Sequence, residues 1–163
     1  MPPDLVVGAP DGNAGYIPNE NYVIIDLTST PIEVRNPADG SYDFIFYELF
    51  VAPDRINMDN IILSISMDGI NYYEVFNWGD NVPDNNTNIF SYTPENDNLP
   101  ILTTILYGIN PIKTGIVVDV DNVASNPPPG FYIYLVIEVP PGPINDGAGI
   151  DAIQVTEVPI PFP

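Results

Sequence analysis

Short runs of β-branched and aromatic residues alternate along the chain with clusters of Pro, Gly, Asn and Asp. Val, Ile, Tyr and Phe suit a pleated, half-buried surface, so these runs predict strands. The expected strands cover 22–27, 42–51, 60–67, 71–76, 101–107, 115–120, 131–139 and 150–156. No window of ten or more residues carries a helical stripe, and Pro and Gly recur too often for long helices. In 60–67 the alternation is clearest. Ile61, Leu63, Ile65 and Met67 share one face, while Ile62, Ser64 and Ser66 share the other. Asp68-Gly69 follows, and between two β-prone runs it predicts a type I′ hairpin turn with both central residues at φ > 0.

Turn chemistry bounds the other strands at 11–13, 36–40, 77–88, 94–98, 125–130 and 140–149. The 77–88 segment is the longest polar loop, a length at which loops in compact domains often carry function. Strands at this spacing predict an all-β, antiparallel β-sandwich over residues 1–156. The closing Glu157-Val158-Pro159-Ile160-Pro161-Phe162-Pro163 alternates with Pro and reads as an extended tail or linker.

Composition narrows the chemistry. There is no His and no Cys, which excludes Ser-His-Asp and Cys-His nucleophile pairs and imidazole or thiolate metal sites. Three Lys and Arg stand against 22 Asp and Glu, a net charge of −19. So few cations cannot neutralise a phosphate backbone or an anionic membrane surface, so neither nucleic acid nor membrane insertion is expected. An apolar content of 45% separates the chain from disordered acidic sequences. No stretch approaches the ~18–20 apolar residues of a membrane span. Met1-Pro2-Pro3-Asp4 lacks a basic region and an apolar run, so it is read as the start of a mature chain or excised module.

Hard cations want six to eight oxygens from carboxylates, amides and carbonyls. Asp11/Asn13, Asp80/Asn81, Asp84/Asn85/Asn86, Asp119/Asp121/Asn122 and Asn145/Asp146 place such oxygens together. Calcium is therefore the expected cofactor. Asp and Asn are also the ordinary residues of turns, which is the plainer reading of each cluster. Aromatic stacking beside polar groups is the chemistry of a glycan site. Trp78, Tyr73, Tyr72 and Tyr92 flank the 77–88 loop with Asn77 and Asp80, although alternation allows only one of Tyr72 and Tyr73 to be core. Glu33, Glu48, Glu74 and Glu138 are available for paired-carboxylate hydrolysis, but no spacing pairs them, and no catalysis is expected.

Four segments in order carry a family resemblance. They are Val7-Gly8-Ala9-Pro10-Asp11-Gly12-Asn13, then Asn36-Pro37-Ala38-Asp39-Gly40-Ser41-Tyr42-Asp43-Phe44-Ile45-Phe46-Tyr47-Glu48, then Leu63 to Val75 with its Asp68-Gly69 turn, and Gly149-Ile150-Asp151-Ala152-Ile153-Gln154-Val155. Together they resemble a module of bacterial cell-surface and secreted proteins, itself similar to discoidin or galactose-binding-like jelly rolls. Asn19-Glu20-Asn21 stands where a glycine-rich turn is expected, Ile150 replaces an acidic residue, and 82–126 shows no alignable pattern. The resemblance implies a jelly-roll sandwich in an extracellular, non-catalytic setting. It also implies a calcium ion where an early loop meets the terminal strand, with Asp11, Asn13 and Asp151 as ligands. Asp43 and Glu48 are further candidates, or else acceptors for loop backbone. The expected function is a calcium-stabilised cell-surface module for adhesion or scaffolding, contacting surface proteins or glycans. Two alternatives are a carbohydrate-binding module of a secreted protein and a subunit that self-assembles through its C-terminal tail.

Overall fold

The computed structural model describes residues 5–109, 112–142 and 146–160. In chain order its strands are β1 (Val6–Val7), β2 (Gly15–Ile17), β3 (Tyr22–Asp26), β4 (Ile32–Val34) and β5 (Ser41–Glu48). They continue with β6 (Phe50–Ala52), β7 (Arg55–Met58), β8 (Ile61–Ser66), β9 (Tyr73–Trp78) and β10 (Leu99–Leu102). The last are β11 (Tyr107–Ile109), β12 (Ile112–Val118), β13 (Gly130–Tyr132), β14 (Tyr134–Glu138) and β15 (Ala148–Pro159). No helix occurs among the described residues.

The larger sheet runs β1-β15-β5-β12-β11, with β2 also on β15. Its partner runs β3-β14-β8-β9. Alternation turns Phe44 and Phe46 of β5, Ile116 and Val118 of β12 and Ile153 of β15 into the core shared with Leu63, Ile65, Phe76, Leu135 and Ile137 of the second sheet. The rings of Phe46 and Phe76 meet across it at a centroid distance of 6.4 Å. The result is an all-β, β-sandwich-like fold. Two small sheets, β10-β7-β6 and β13-β4, add Ile56, Met58, Ile101, Ile32, Val34 and Tyr132 to the same core.

β5 is buried on both faces. Its other side holds Ile45 and Tyr47 against Val117 and Ala152, with Val6, Tyr42 and Val158 packed on them. That explains its nearly unbroken apolar run, which a strand with one wet face does not need. The expected 42–51 strand therefore ends at Glu48, and the chain turns at Leu49, whose N–H donates to the Gly149 carbonyl at 2.9 Å.

Other expectations need correction. Of the Asp68-Gly69 pair only Gly69 has positive φ, at 73°, so the turn is not type I′. The Asp68 carboxylate instead accepts the N–H groups of Ile70 and Asn71, each at 2.8 Å, and closes a longer connection. The 101–107 run breaks into β10 and β11 around a turn in which Leu106 donates to Thr103 at 3.2 Å. The tail expected from 157 onward is sheet as far as Pro159. Val158 pairs with Tyr42 and Pro159 with Ser41, while Pro161, Phe162 and Pro163 lie outside the described residues. Strands β1, β2, β4 and β7 were not predicted.

Phe46 is completely buried at the centre of the shared core. Phe46→Ala is expected to destabilise the protein by about 3–5 kcal/mol in urea unfolding, against a near-neutral effect for the exposed Tyr22→Ala.

Candidate functional site

β5 organises the acidic residues, with Asp43 near its start and Glu48 at its end. Its neighbour β15 carries Asp151 at a register shift between Ile150 and Ala152. A bulge of this kind re-aims a side chain off the regular alternation. The Asp151 carboxylate there accepts the N–H of Asp11 at 3.0 Å and of Gly12 at 2.8 Å, one on each oxygen. Asp11 in turn accepts the Asn13 N–H at 2.9 Å. Asp11, Asn13 and Asp151 do meet, as the resemblance implied. Yet both Asp151 oxygens are taken by backbone amides, which fill the role assigned to calcium. These donors form a latch of the opening loop onto the terminal strand.

Asp43 lies apart from that latch, where it forms a cluster with Asp39 and Asp121 whose carboxylate oxygens lie within 4.8 Å of one another. Asp43 accepts the Val120 N–H at 2.7 Å. Asp121 accepts the Arg35 N–H at 2.6 Å and the Asp39 N–H at 3.2 Å. The Arg35 guanidinium pairs with Asp39, with Glu33 at 2.5 Å and with Glu157 at 2.8 Å. A fixed cation therefore already stands beside this cluster. Burial pushes Asp43 up to about 8, partly offset by the Val120 amide and reinforced by the charges of Asp121 and Asp119.

The third group sits at the other end of β5. Glu48 is 1% exposed and Asp59, between β7 and β8, is 9% exposed. Glu48 accepts the N–H groups of Leu49 at 2.5 Å and Asp59 at 3.3 Å. Asp59 accepts the Gly149 N–H at 3.0 Å, and Asp97 accepts that of Asn60 at 2.8 Å. Asp59, Asp97 and Asp146 bring carboxylate oxygens within 4.8 Å of one another. The Asn98 amide donates to both Asp97, at 3.1 Å, and Asp146, at 3.3 Å. Among the described residues no Lys or Arg pairs with any of them. A cavity of about 290 Å³ opens here, lined by Tyr16, Glu48, Asp59, Asn98 and Asp146. Burial and the neighbouring Asp59 charge hold Glu48 well above the usual carboxylate range, and burial pushes Asp59 up to about 6.

The aromatic platform expected for a glycan is dismantled. Trp78 is 1% exposed and its indole N–H donates to the Asn96 carbonyl at 3.1 Å, so it offers no face to a sugar. Tyr73 packs edge-on against Tyr132 at 6.1 Å, and Tyr92 leans on the core while its hydroxyl accepts the Leu102 N–H at 3.3 Å. Tyr72 is the exposed member of the pair, as alternation requires. Asn77 donates its N–H to Asp84 at 3.4 Å, and Asp80 accepts that of Val82 at 2.7 Å. Sequence reasoning missed Asp59, Asp97 and Tyr16. Asp146 was noted only with Asn145, which lies outside the described residues. No spacing rule links positions 48, 59, 97 and 146, because topology alone gathers them.

Comparison with protein-family models, with curated proteins and with solved structures finds no match for this chain. Fold and site therefore stand on the chain's own geometry.

A carboxyl whose pKa is raised on folding binds its proton more tightly in the native state. The stability it contributes is present at low pH and is lost as pH rises through the folded pKa. For Asp43 that loss falls between its ordinary value near 3.8 and about 8. Asp43→Asn keeps an acceptor for Val120 and removes the titration. The metal-free variant is expected to melt above the parent at pH 9, with a gap that narrows by up to about 1.4 kcal/mol per pH unit as pH falls. Thermal melts from pH 5 to 9 check it.

Proposed function

We propose that this chain is a non-catalytic, calcium-stabilised surface module of jelly-roll type, working outside the cell in adhesion or scaffolding. The observation that carries the reading is the group formed by Glu48, Asp59, Asp97 and Asp146: two buried carboxylates, Asp146 on the cavity lining and Asp97 within reach of both Asp residues, with no basic partner among the described residues. Like charges withdrawn from water need a proton or a cation. Oxygen-only donors and a roomy site fit calcium better than magnesium, which demands tight octahedral geometry. Sites on extracellular modules bind on the order of 10⁻⁴–10⁻³ M, the regime where an ion holds loops together outside cells.

The jelly-roll reading is supported by the pairing of β8 with β9, β5 with β12, β3 with β14 and β2 with β15. All four pairs are antiparallel and nested in sequence, so they form one long hairpin wound into two sheets. The non-catalytic reading is supported by the placing of the glutamates. Glu33 is tied to Arg35, and Glu48 is sealed in. Glu74 and Glu138 stand on β9 and β14, two strands and two residues apart. That sets their Cα atoms roughly 12 Å apart on strand spacings alone, with β8 between the two strands.

A carbohydrate-binding role is the second reading, and one feature favours it at a new address. Tyr16 is exposed at the rim of the same cavity, where its hydroxyl donates to the Asp146 carbonyl. Here Tyr16 would supply the stacking face and the bound ion the hydroxyl contacts.

With 10 mM calcium and a dissociation constant near 1 mM, mass action adds about 1.4 kcal/mol, or a melting shift of roughly 3–6 °C over EDTA. Asp97→Asn is expected to remove the part of the calcium-dependent shift that this site supplies. Equal melting in calcium and EDTA overturns the calcium reading. Polysaccharide pull-down that depends on calcium and is lost in Tyr16→Ala decides for the second reading.

A further inference from the structure

Another carboxylate group, outside the cavity just described, lies in the polar segment after β9. Glu95 is 3% exposed. One of its oxygens, Oε2, accepts the N–H groups of Gly79 at 3.0 Å and Asn81 at 3.2 Å. Its other oxygen, Oε1, is shielded from solvent and has no hydrogen-bond partner. Asp84 repeats the arrangement. Oδ1 accepts the Asn77 N–H at 3.4 Å, and Oδ2 is shielded and unpartnered. Both residues thus grip amides of one short stretch, two residues apart, and each keeps one oxygen in hand. Asp80, in the turn between Gly79 and Asn81, lies beside the Glu95 carboxylate. Among the described residues no Lys or Arg pairs with the group.

The scaffold around these oxygens is held firmly. Asn81, at φ 61°, accepts the Glu95 N–H at 3.1 Å and returns its own N–H to Glu95, a reciprocal clasp. The Asp84 carbonyl accepts the Thr87 N–H at 3.0 Å and the Thr87 hydroxyl at 2.8 Å. Thr87 forms a bridge to Val118, and the Asn86 amide donates to the carbonyls of Val75 at 2.8 Å and Asp119 at 3.0 Å. A buried acceptor left without a donor costs about 1–3 kcal/mol, and more when charged. Two such acceptors on a pinned backbone, in residues close enough to feel each other's charge, call for a ligand that brings positive charge.

We propose that Glu95 and Asp84 form a second cation site, for a hard divalent ion such as calcium, that locks the 79–88 loop to the 93–96 segment, with Asp80 outside the inner shell. The ion takes Glu95 Oε1 and Asp84 Oδ2 as inner ligands, with water completing the shell. The site is independent of the one at Asp59, Asp97 and Asp146, because neither shares a carboxylate with the other. A proton held between Asp84 and Glu95 is the competing account, since burial pushes Asp84 up to about 8 and raises Glu95 as well.

Calcium titration of the full chain by isothermal calorimetry at pH 8 tests this, in the parent and in Glu95→Gln, Asp84→Asn and Asp97→Asn. The expected result is that Glu95→Gln and Asp84→Asn each lose one calcium equivalent that Asp97→Asn retains. Failure of the Asp97 site alone leaves that equivalent in place, so the two proposals fail separately. Parent-like stoichiometry in both Glu95→Gln and Asp84→Asn overturns the site. So does a parent that binds no calcium, or only the equivalent lost in Asp97→Asn. Glu95→Gln that melts above the parent at pH 8, with and without calcium alike, identifies the proton instead. If Glu95→Gln fails to fold, Asp84→Asn carries the same readings, because its amide keeps an acceptor for Asn77.

Discussion

A carboxylate taken from water must find compensating donors, and in this chain the donors are overwhelmingly backbone amides. Three Lys and Arg cannot match 22 Asp and Glu, so the loops supply the positive ends of their own peptide dipoles. Asp151 grips the opening loop, Asp121 grips 35–39, Asp43 takes Val120, Glu95 takes the 79–81 turn, and Asp97 takes Asn60. Each bond ties together segments that lie apart in sequence, loop to strand for Asp151 and Asp43 and loop to loop for Asp121, Glu95 and Asp97. The sandwich is thereby stitched at its rims by the same residues that give the protein its charge.

This stitching places the three acidic groups on a scale of satisfaction. Around Asp43 the amides and Arg35 leave little for an ion to do. Around Glu48 and Asp59 the amides are used, yet Asp59 still converges with Asp97 and Asp146 without a basic side chain among the described residues. Around Glu95 and Asp84 two buried oxygens have no donor at all. The gradient runs from a fully bonded latch to acceptors without a donor, and local geometry separates the cases where composition treats every Asp alike.

Much of the fold was legible because strand alternation is a local signal. β3 and β8 lie within one residue of where periodicity puts them, while the expected 131–139 strand divides into β13 and β14, which pair in different sheets. β2, β4 and β7, at three or four residues, are too short to show a period. The Asp68-Gly69 turn misled because Asp serves as readily by accepting nearby amides as by adopting positive φ. Asp11 and Asp151 were matched correctly as neighbours, but whether an amide or an ion joins them depends on a register shift that no spacing announces. Trp78 looked like a binding residue because it borders a polar loop, whereas its position on β9 points it inward.

The place of β15 has a consequence for how the chain reaches this state. The last strand in sequence is an inner strand of the larger sheet, with β5 along one side and β1 and β2 along the other. Until it arrives, one margin of β5 has no hydrogen-bonding mate, and Ile45, Tyr47 and Val117 lack part of their cover. A nascent or partly unfolded chain therefore displays a long apolar edge, the feature most prone to pair with strangers. The heavy surplus of like charge then acts as a kinetic safeguard, keeping incomplete copies apart by mutual repulsion until the closing strand docks.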